Sequence, residues 1–174
     1  MRREPNAFWL YSLRTYRIAG VADACLTMQE RWGADVNLIL YCCWLGHAGR
    51  ALDKRSLQSA SVAVCRWQAE VIKPLRQARR AMKISPKGLP AELSARLRKR
   101  IGALELDLEY MEQYLLANAA ETLPRNRRRH SPETATRANL GRYLALLGVP
   151  AGQADRQLAA IVDACCPSQP YQKR

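Results

Sequence analysis

Apolar residues recur along this chain at intervals of three and four, which is the spacing of amphipathic α-helices. No run alternates apolar and polar residues in the way that predicts strands. The spacing predicts seven helices, near 6–18, 21–32, 36–45, 57–82, 90–115, 131–147 and 152–165. The chain is therefore predicted to fold as an all-α, single-domain helical bundle over residues 1–166, followed by a polar tail over 167–174.

The third predicted helix, Val36 to Leu45, is apolar on nearly every side. Such a helix belongs at the centre of a bundle, because it has no polar face to turn toward water. Asp35 precedes it and is a good N-cap, since its carboxylate can accept backbone N–H bonds.

Two longer apolar series predict an antiparallel helical hairpin. The first runs from Leu57 to Met82, with a bend expected at Pro74, and a short turn separates it from the second. The second series is Leu93, Leu97, Ile101, Leu104, Leu108, Met111 and Leu115. We expect the hairpin to pack along these residues, and we interpret Glu105, Glu109 and Glu112 as a solvated acidic face that pairs with nearby arginines.

Charge is the strongest functional signal in the sequence. The formal net charge is +13, which favours an anionic partner such as nucleic acid, an acidic protein or an anionic membrane surface. The hairpin concentrates this charge, because the segment from Lys73 to Arg100 contains ten basic residues and only one acid, Glu92. The predicted partner-binding residues are Lys73, Arg76, Arg79, Arg80, Lys83, Lys87, Arg96, Lys99 and Arg100, with Arg125, Arg127, Arg128 and Arg129 as a second cluster. A solvated basic face without a partner remains an alternative.

The chain lacks most signatures of catalysis and of cofactor binding. Cys43 and His47 lie four residues apart, but no Cys-x-x-Cys pair completes a zinc site. Glycine-rich phosphate loops are absent. We therefore predict no catalytic residue, no metal and no cofactor. The remaining alternative is an enzyme or small-ligand-binding protein, whose pocket residues would be Trp9, Tyr16, Asp35, Asn37 and Tyr41.

Cysteine usage and hydropathy bear on where the protein works. The six cysteines lie within helical patterns, and the N-terminus lacks the apolar run of a secretory signal. No apolar run reaches the roughly 18 residues of a membrane span. We expect a soluble protein in a reducing cytoplasm.

Three blocks of sequence carry a family resemblance. They are Phe8-Trp9-x-Tyr11-Ser12-Leu13, Gly20-Val21-Ala22-x-Ala24-Cys25-Leu26 and Gly33-x-Asp35-Val36-Asn37-Leu38-x-Leu40-x-Cys42-x-Trp44-Leu45. With looser matches later in the chain, they resemble an uncharacterised family of small proteobacterial proteins that has no assigned activity, cofactor or catalytic residue. The resemblance implies a bacterial, cytoplasmic, all-helical protein.

The preferred hypothesis from sequence is a non-enzymatic binding or regulatory protein. Its basic hairpin tip would hold RNA, an RNA-containing assembly or an acidic protein, because motifs that read DNA bases are missing. The pocket of the N-terminal block is the alternative site. An oligomer that buries the hairpin against a second copy is a third possibility.

Overall fold

The computed structural model describes residues 6–85, 87–124 and 130–166, and all regular structure within them is helical. The helices are α1 Ala7–Tyr16, α2 Val21–Trp32, α3 Val36–His47, α4 Lys54–Trp67, α5 Lys73–Ala81, α6 Ala91–Glu121, α7 Pro132–Leu146 and α8 Asp155–Cys165. A π-helical turn, Gln68–Ile72, joins α4 to α5 into one continuous rod. With the rod counted once, the described residues contain seven helices, and the all-α prediction is confirmed. None of the described helices is both long enough and apolar enough to cross a bilayer.

Capping residues determine where several helices begin and end. Asp35 Oδ1 accepts a hydrogen bond from the backbone nitrogen of Asn37 at 2.8 Å, which confirms Asp35 as the N-cap of α3. Asp53 and Ser131 cap α4 and α7 in the same way. Gly33 ends α2 with a φ of 68°, a left-handed conformation that residues with a side chain rarely adopt.

Helix α3 lies at the centre of the hydrophobic core, as its sequence predicts. Residues Leu38 to Cys43 are all buried, and α3 packs most extensively against α7. Other core residues come from α1, α2, α4, α6 and α8. The assignment of residues 1–166 to a single domain stays a prediction, and the predicted tail 167–174 lies outside the described residues.

The α5–α6 hairpin is antiparallel, but its helices do not meet along the predicted apolar series. Leu93, Leu97, Leu104, Met111 and Leu115 are each between 43 and 48 % exposed. Helix α6 instead turns a polar face inward, on which Glu105, Glu112 and Gln113 are buried. The predicted packing was wrong because apolar spacing identifies a stripe on a helix but not what covers that stripe. The opposite face of α6 is buried instead, because polar side chains of other helices form hydrogen bonds and ion pairs with it.

Candidate functional site

A cleft of about 830 Å³ opens between α1, α5 and α6, with α2 and α3 behind it. This volume lies in the range of small-molecule sites in proteins. One face of α6 lines the cleft from Ala95 to Gln113, a distance of about five helical turns. The cleft therefore has an outer end near the hairpin tip and an inner end beside the core.

A network of four buried polar side chains closes the inner end. Asn37 Nδ2 and Gln68 Nε2 donate hydrogen bonds to Glu112 Oε2 at 2.7 and 2.8 Å. Gln113 Nε2 donates to Asn37 Oδ1 at 2.8 Å. Asn37, Gln68 and Gln113 line the cleft, while Glu112 is fully buried. The floor is therefore polar, and directional bonds between three elements of the fold hold it in place.

Glu112 has a raised pKa within this network. Burial, followed by the charge and the hydrogen bond of Asp35, raises the pKa of Glu112 to about 10. Its Oε2 accepts both donated bonds, and its Oε1 has no hydrogen-bond partner among the described residues. The raised pKa favours the protonated form of Glu112 at physiological pH.

The π-helical turn brings Gln68 into the network. Within the turn, the backbone N–H of Lys73 bonds to the carbonyl of Gln68, five residues earlier. Such turns shift the register of a helix by one residue and occur often at functional sites. The sequence predicts a bend at Pro74, and the structure has this turn immediately before that residue.

Two ion pairs join α5 to α6 along the cleft wall. Arg79 Nε lies 2.6 Å from Glu105 Oε1, and Arg76 Nη2 lies 2.7 Å from Glu109 Oε1. The predicted pairing of these acids with arginines is confirmed. The predicted solvated face is wrong for Glu105 and Glu112, which are buried, because arginine and amide partners compensate the loss of water.

Four cations line the outer part of the cleft and form none of these short ion pairs with α6. They are Arg17, Arg80, Arg98 and Lys99. Within the described residues, no carboxylate lies within 4.0 Å of Arg17, Arg98 or Lys99. Arg80 is 4.0 Å from the exposed carboxylate of Glu30. A cleft lined by one sign of charge concentrates the electric field, so this end attracts anions.

The wall of the cleft that α1 forms has aromatic side chains and two polar groups, the hydroxyls of Ser12 and Tyr16. Trp9 packs edge-to-face against Tyr110, with ring centroids 5.2 Å apart. Tyr16 is half-buried, and this burial raises its pKa, so the phenol is neutral at physiological pH. Ser12 Oγ on this wall and Gln113 Oε1 on the floor are buried without a hydrogen-bond partner among the described residues. Such groups are satisfied in most proteins by water or by a ligand.

The two sites suggested by sequence meet in this cleft. The cleft-lining residues include the predicted pocket residues Trp9, Tyr16, Asp35 and Asn37 and the predicted cations Arg76, Arg79, Arg80 and Lys99. Tyr41 does not line the cleft, because it is fully buried against Phe8 in the core.

The other predicted cations lie elsewhere. Lys73 lines a second cleft, of about 520 Å³, which shares Arg76 and Arg80 with the first. Lys83, Lys87, Arg96 and Arg100 are exposed and line neither cleft. Arg125, Arg127, Arg128 and Arg129 lie outside the described residues.

Sequence reasoning missed Gln68, Glu112 and Gln113 as parts of the site. These residues follow Trp67 and Met111 in apolar series, where a polar neighbour ordinarily points to solvent. The only available signal was the adjacency of Glu112 and Gln113, two polar residues opposite the heptad stripe of α6. Their burial depends on how α6 is rotated against the bundle, which the spacing does not determine.

The family comparison covers the whole of this cleft. The model of a family described as proteins of unknown function, DUF2390, matches residues 7–116. The chain belongs to the DUF2390 family. Every residue that lines the 830 Å³ cleft lies within the matched region, whereas α7 and α8 lie beyond it. Searches of curated proteins and of solved structures found no match.

Proposed function

We propose that this DUF2390 protein binds an anionic small molecule in the cleft between α1, α5 and α6. One observation carries the proposal: Arg98 and Lys99 line the outer end of a ligand-sized cleft and have no carboxylate partner among the described residues. An anion bound there would relieve the repulsion between these charges and Arg80. The proposal is for binding and not for catalysis.

The lining suggests how such a molecule is oriented. Its phosphate or carboxylate group would contact Arg98 and Lys99, because charge-assisted hydrogen bonds are among the strongest that proteins form. Its body would lie against Trp9 and Leu13 on the α1 wall. A hydroxyl or amine at its far end would face the floor, where Asn37 and Gln113 are already oriented by the network.

A second candidate function is the binding of an acidic macromolecule at the hairpin tip. Lys83, Lys87, Arg96 and Arg100 are exposed there, and none lies within 4.0 Å of a carboxylate in the described part of the chain. RNA, an RNA-containing assembly or an acidic protein would each neutralise this surface. These cations lie outside the cleft, so the two candidates can be separated by mutation.

A thermal-shift screen with two matched charge reversals tests both candidates. The probes are a panel of phosphorylated and carboxylated metabolites. Inorganic phosphate and sulfate serve as anions that lack the organic part of a metabolite. The cleft variant is Arg98→Glu/Lys99→Glu, and the control is Arg96→Glu/Arg100→Glu. Both variants change the net charge by the same amount on the same helix, but only the first changes the cleft.

The cleft proposal expects a metabolite that stabilises the wild type and the control but no longer stabilises the cleft variant. A single ion pair of this kind contributes about 1.5 to 3 kcal/mol, so affinity should fall at least about tenfold. Absence of any stabilising anion, or equal loss in both variants, would contradict it. RNA that co-purifies at low salt, and whose binding both variants weaken, would favour the hairpin tip.

The bacterial and cytoplasmic setting is part of the same proposal. All six cysteines are free thiols, and four of them are buried. Free thiols are typical of proteins that work in a reducing compartment.

A further inference from the structure

The exposed face of α6 has the pattern of a coiled-coil seam. From Leu97 to Leu115 its apolar residues are spaced alternately by four and three, with Ile101 and Leu108 half-buried and the others exposed. This is the 3.5-residue repeat by which two helices supercoil around each other. Trp67 of α4 donates a hydrogen bond to the carbonyl of Leu108 beside this seam, but Leu93, Leu97, Leu104, Met111 and Leu115 stay 43 to 48 % exposed.

The seam runs along most of α6. From Leu93 to Leu115 it is about 33 Å long. Five of its side chains, Leu93, Leu97, Leu104, Met111 and Leu115, are 43 to 48 % exposed. Two such seams packed together would remove these side chains from water, which is favourable for apolar surface.

The charges on α6 favour a second copy of the same chain, packed in the opposite direction. From Ala91 to Ala103 the helix has four basic residues and one acid, whereas Leu104 to Glu121 has no base. In that second half Glu105 and Glu109 pair with α5 and Glu112 is buried, while Glu121 is an exposed acid. A parallel pair would place the two basic hairpin tips side by side. An antiparallel pair places each basic end beside the end that carries Glu121, and it separates the tips by the length of the seam.

We propose that this protein is a homodimer in which the α6 seams of two copies pack antiparallel. Full overlap of the seams places Leu104 beside Leu104 of the second copy, and Leu115 beside Leu93. The 830 Å³ cleft lies on the other side of α6, so the dimer would hold two clefts that remain open. The dimer does not depend on what the cleft binds.

Sedimentation velocity of the full chain, over about a hundredfold range of concentration, tests the dimer. We expect a dimer that Leu97→Glu/Leu104→Glu converts to monomer, with a dissociation constant raised at least about a hundredfold. The matched control is Leu10→Glu/Val62→Glu, which alters exposed apolar residues of α1 and α4 and should stay dimeric. Circular dichroism should show both variants folded. A wild type that is monomeric throughout, or a dimer unaffected by the α6 variant, would overturn the proposal and leave the seam to a different partner.

Cysteine cross-linking tests the direction of packing. On a Cys65→Ser background, which removes the exposed native thiol, Leu104→Cys should form a disulfide-linked dimer on mild oxidation with oxidised glutathione. Leu115→Cys should not, since its two copies would lie about 33 Å apart. Efficient linking at both positions would require a parallel pair and would refute the antiparallel arrangement.

Discussion

The charge of Asp35 on α3 helps to raise the pKa of Glu112 on α6, after the larger effect of burial. Asp35 also caps α3 through its Oδ1, and its backbone N–H donates to the hydroxyl of Tyr143 at 2.8 Å. Glu112 accepts bonds from Asn37 and Gln68 on its Oε2. A single pair of acids thereby connects α3, α6, α7 and the π-helical turn, directly behind the floor of the cleft.

The first prediction concerns the protonation state of Glu112 that the fold requires. In Glu112→Gln, the amide oxygen can accept from Asn37 and Gln68 while the amide N–H donates to Asp35, so stability should change by less than about 1 kcal/mol. Glu112→Ala leaves both donors unsatisfied beside a cavity and should cost about 3 kcal/mol or more. Urea unfolding measures both changes. Equal destabilisation by the two variants would mean that the fold needs the ionised carboxylate.

The second prediction concerns pH. The pKa of Glu112 is near 4.3 in an unfolded chain and is raised to about 10 in the fold. Between these values the folded state keeps a proton that the unfolded state has lost, so this residue makes stability fall as pH rises. The effect should be absent below pH 4 and complete above pH 10.

The measurement is the difference in unfolding free energy between the wild type and Glu112→Gln at pH 5, 6, 7 and 8. The comparison cancels the titrating groups that do not interact with Glu112, and the pH dependence that remains belongs to Glu112 together with Asp35. The wild type should lose stability relative to the variant as pH rises. A constant difference across this range would show that Glu112 is already ionised in the folded protein.

Local signals in the sequence predicted the helices well. Asp35 was predicted to be a cap from its position before an apolar run, and the structure confirms it. These features depend on residues within one turn of each other, so they are visible in a single sequence. The centrality of α3 followed from its lack of a polar face.

The sequence predicted only part of the candidate site, because the site depends on how the helices are rotated against each other. The cations of α5 and the aromatics of α1 were each identified, but nothing in the spacing placed them in one cleft. The heptad stripe of α6 was read as the buried face, whereas the buried face holds Glu105 and Glu112. Polar residues can be buried when distant partners such as Arg79 and Gln68 satisfy them, and those partners are set by the tertiary fold.

The third prediction concerns Asn139, which holds the segment between α3 and α4 against α7. Its Nδ2 donates to the carbonyls of Cys42 and Arg50 at 3.1 and 3.0 Å, and its Oδ1 accepts from the backbone nitrogen of Leu52 at 2.7 Å. Because the side chain is fully buried, water cannot replace these bonds. Asn139→Ala should therefore destabilise the protein by about 2 to 4 kcal/mol.

Urea unfolding of Asn139→Ala is best compared with Asn118→Ala, which removes the same side chain from an exposed position on α6. The control should change stability by no more than about 0.5 kcal/mol. A loss at Asn139 as small as at Asn118 would mean that the loop is held by other contacts. Faster hydrogen exchange at Leu52 in the Asn139 variant would localise the effect.

The fourth prediction uses two glycines that lie within helices but in different surroundings. A Cβ on Gly46 would lie 2.6 Å from the backbone nitrogen of Thr136, so Gly46→Ala must push α3 and α7 apart and should cost about 2 to 3 kcal/mol. A Cβ on Gly141 would meet nothing within 4 Å, so Gly141→Ala should stabilise α7 by about 0.5 to 1 kcal/mol. Thermal unfolding should therefore move in opposite directions for the same chemical change. Two shifts of the same sign would contradict the close crossing of α3 and α7 around which the core is built.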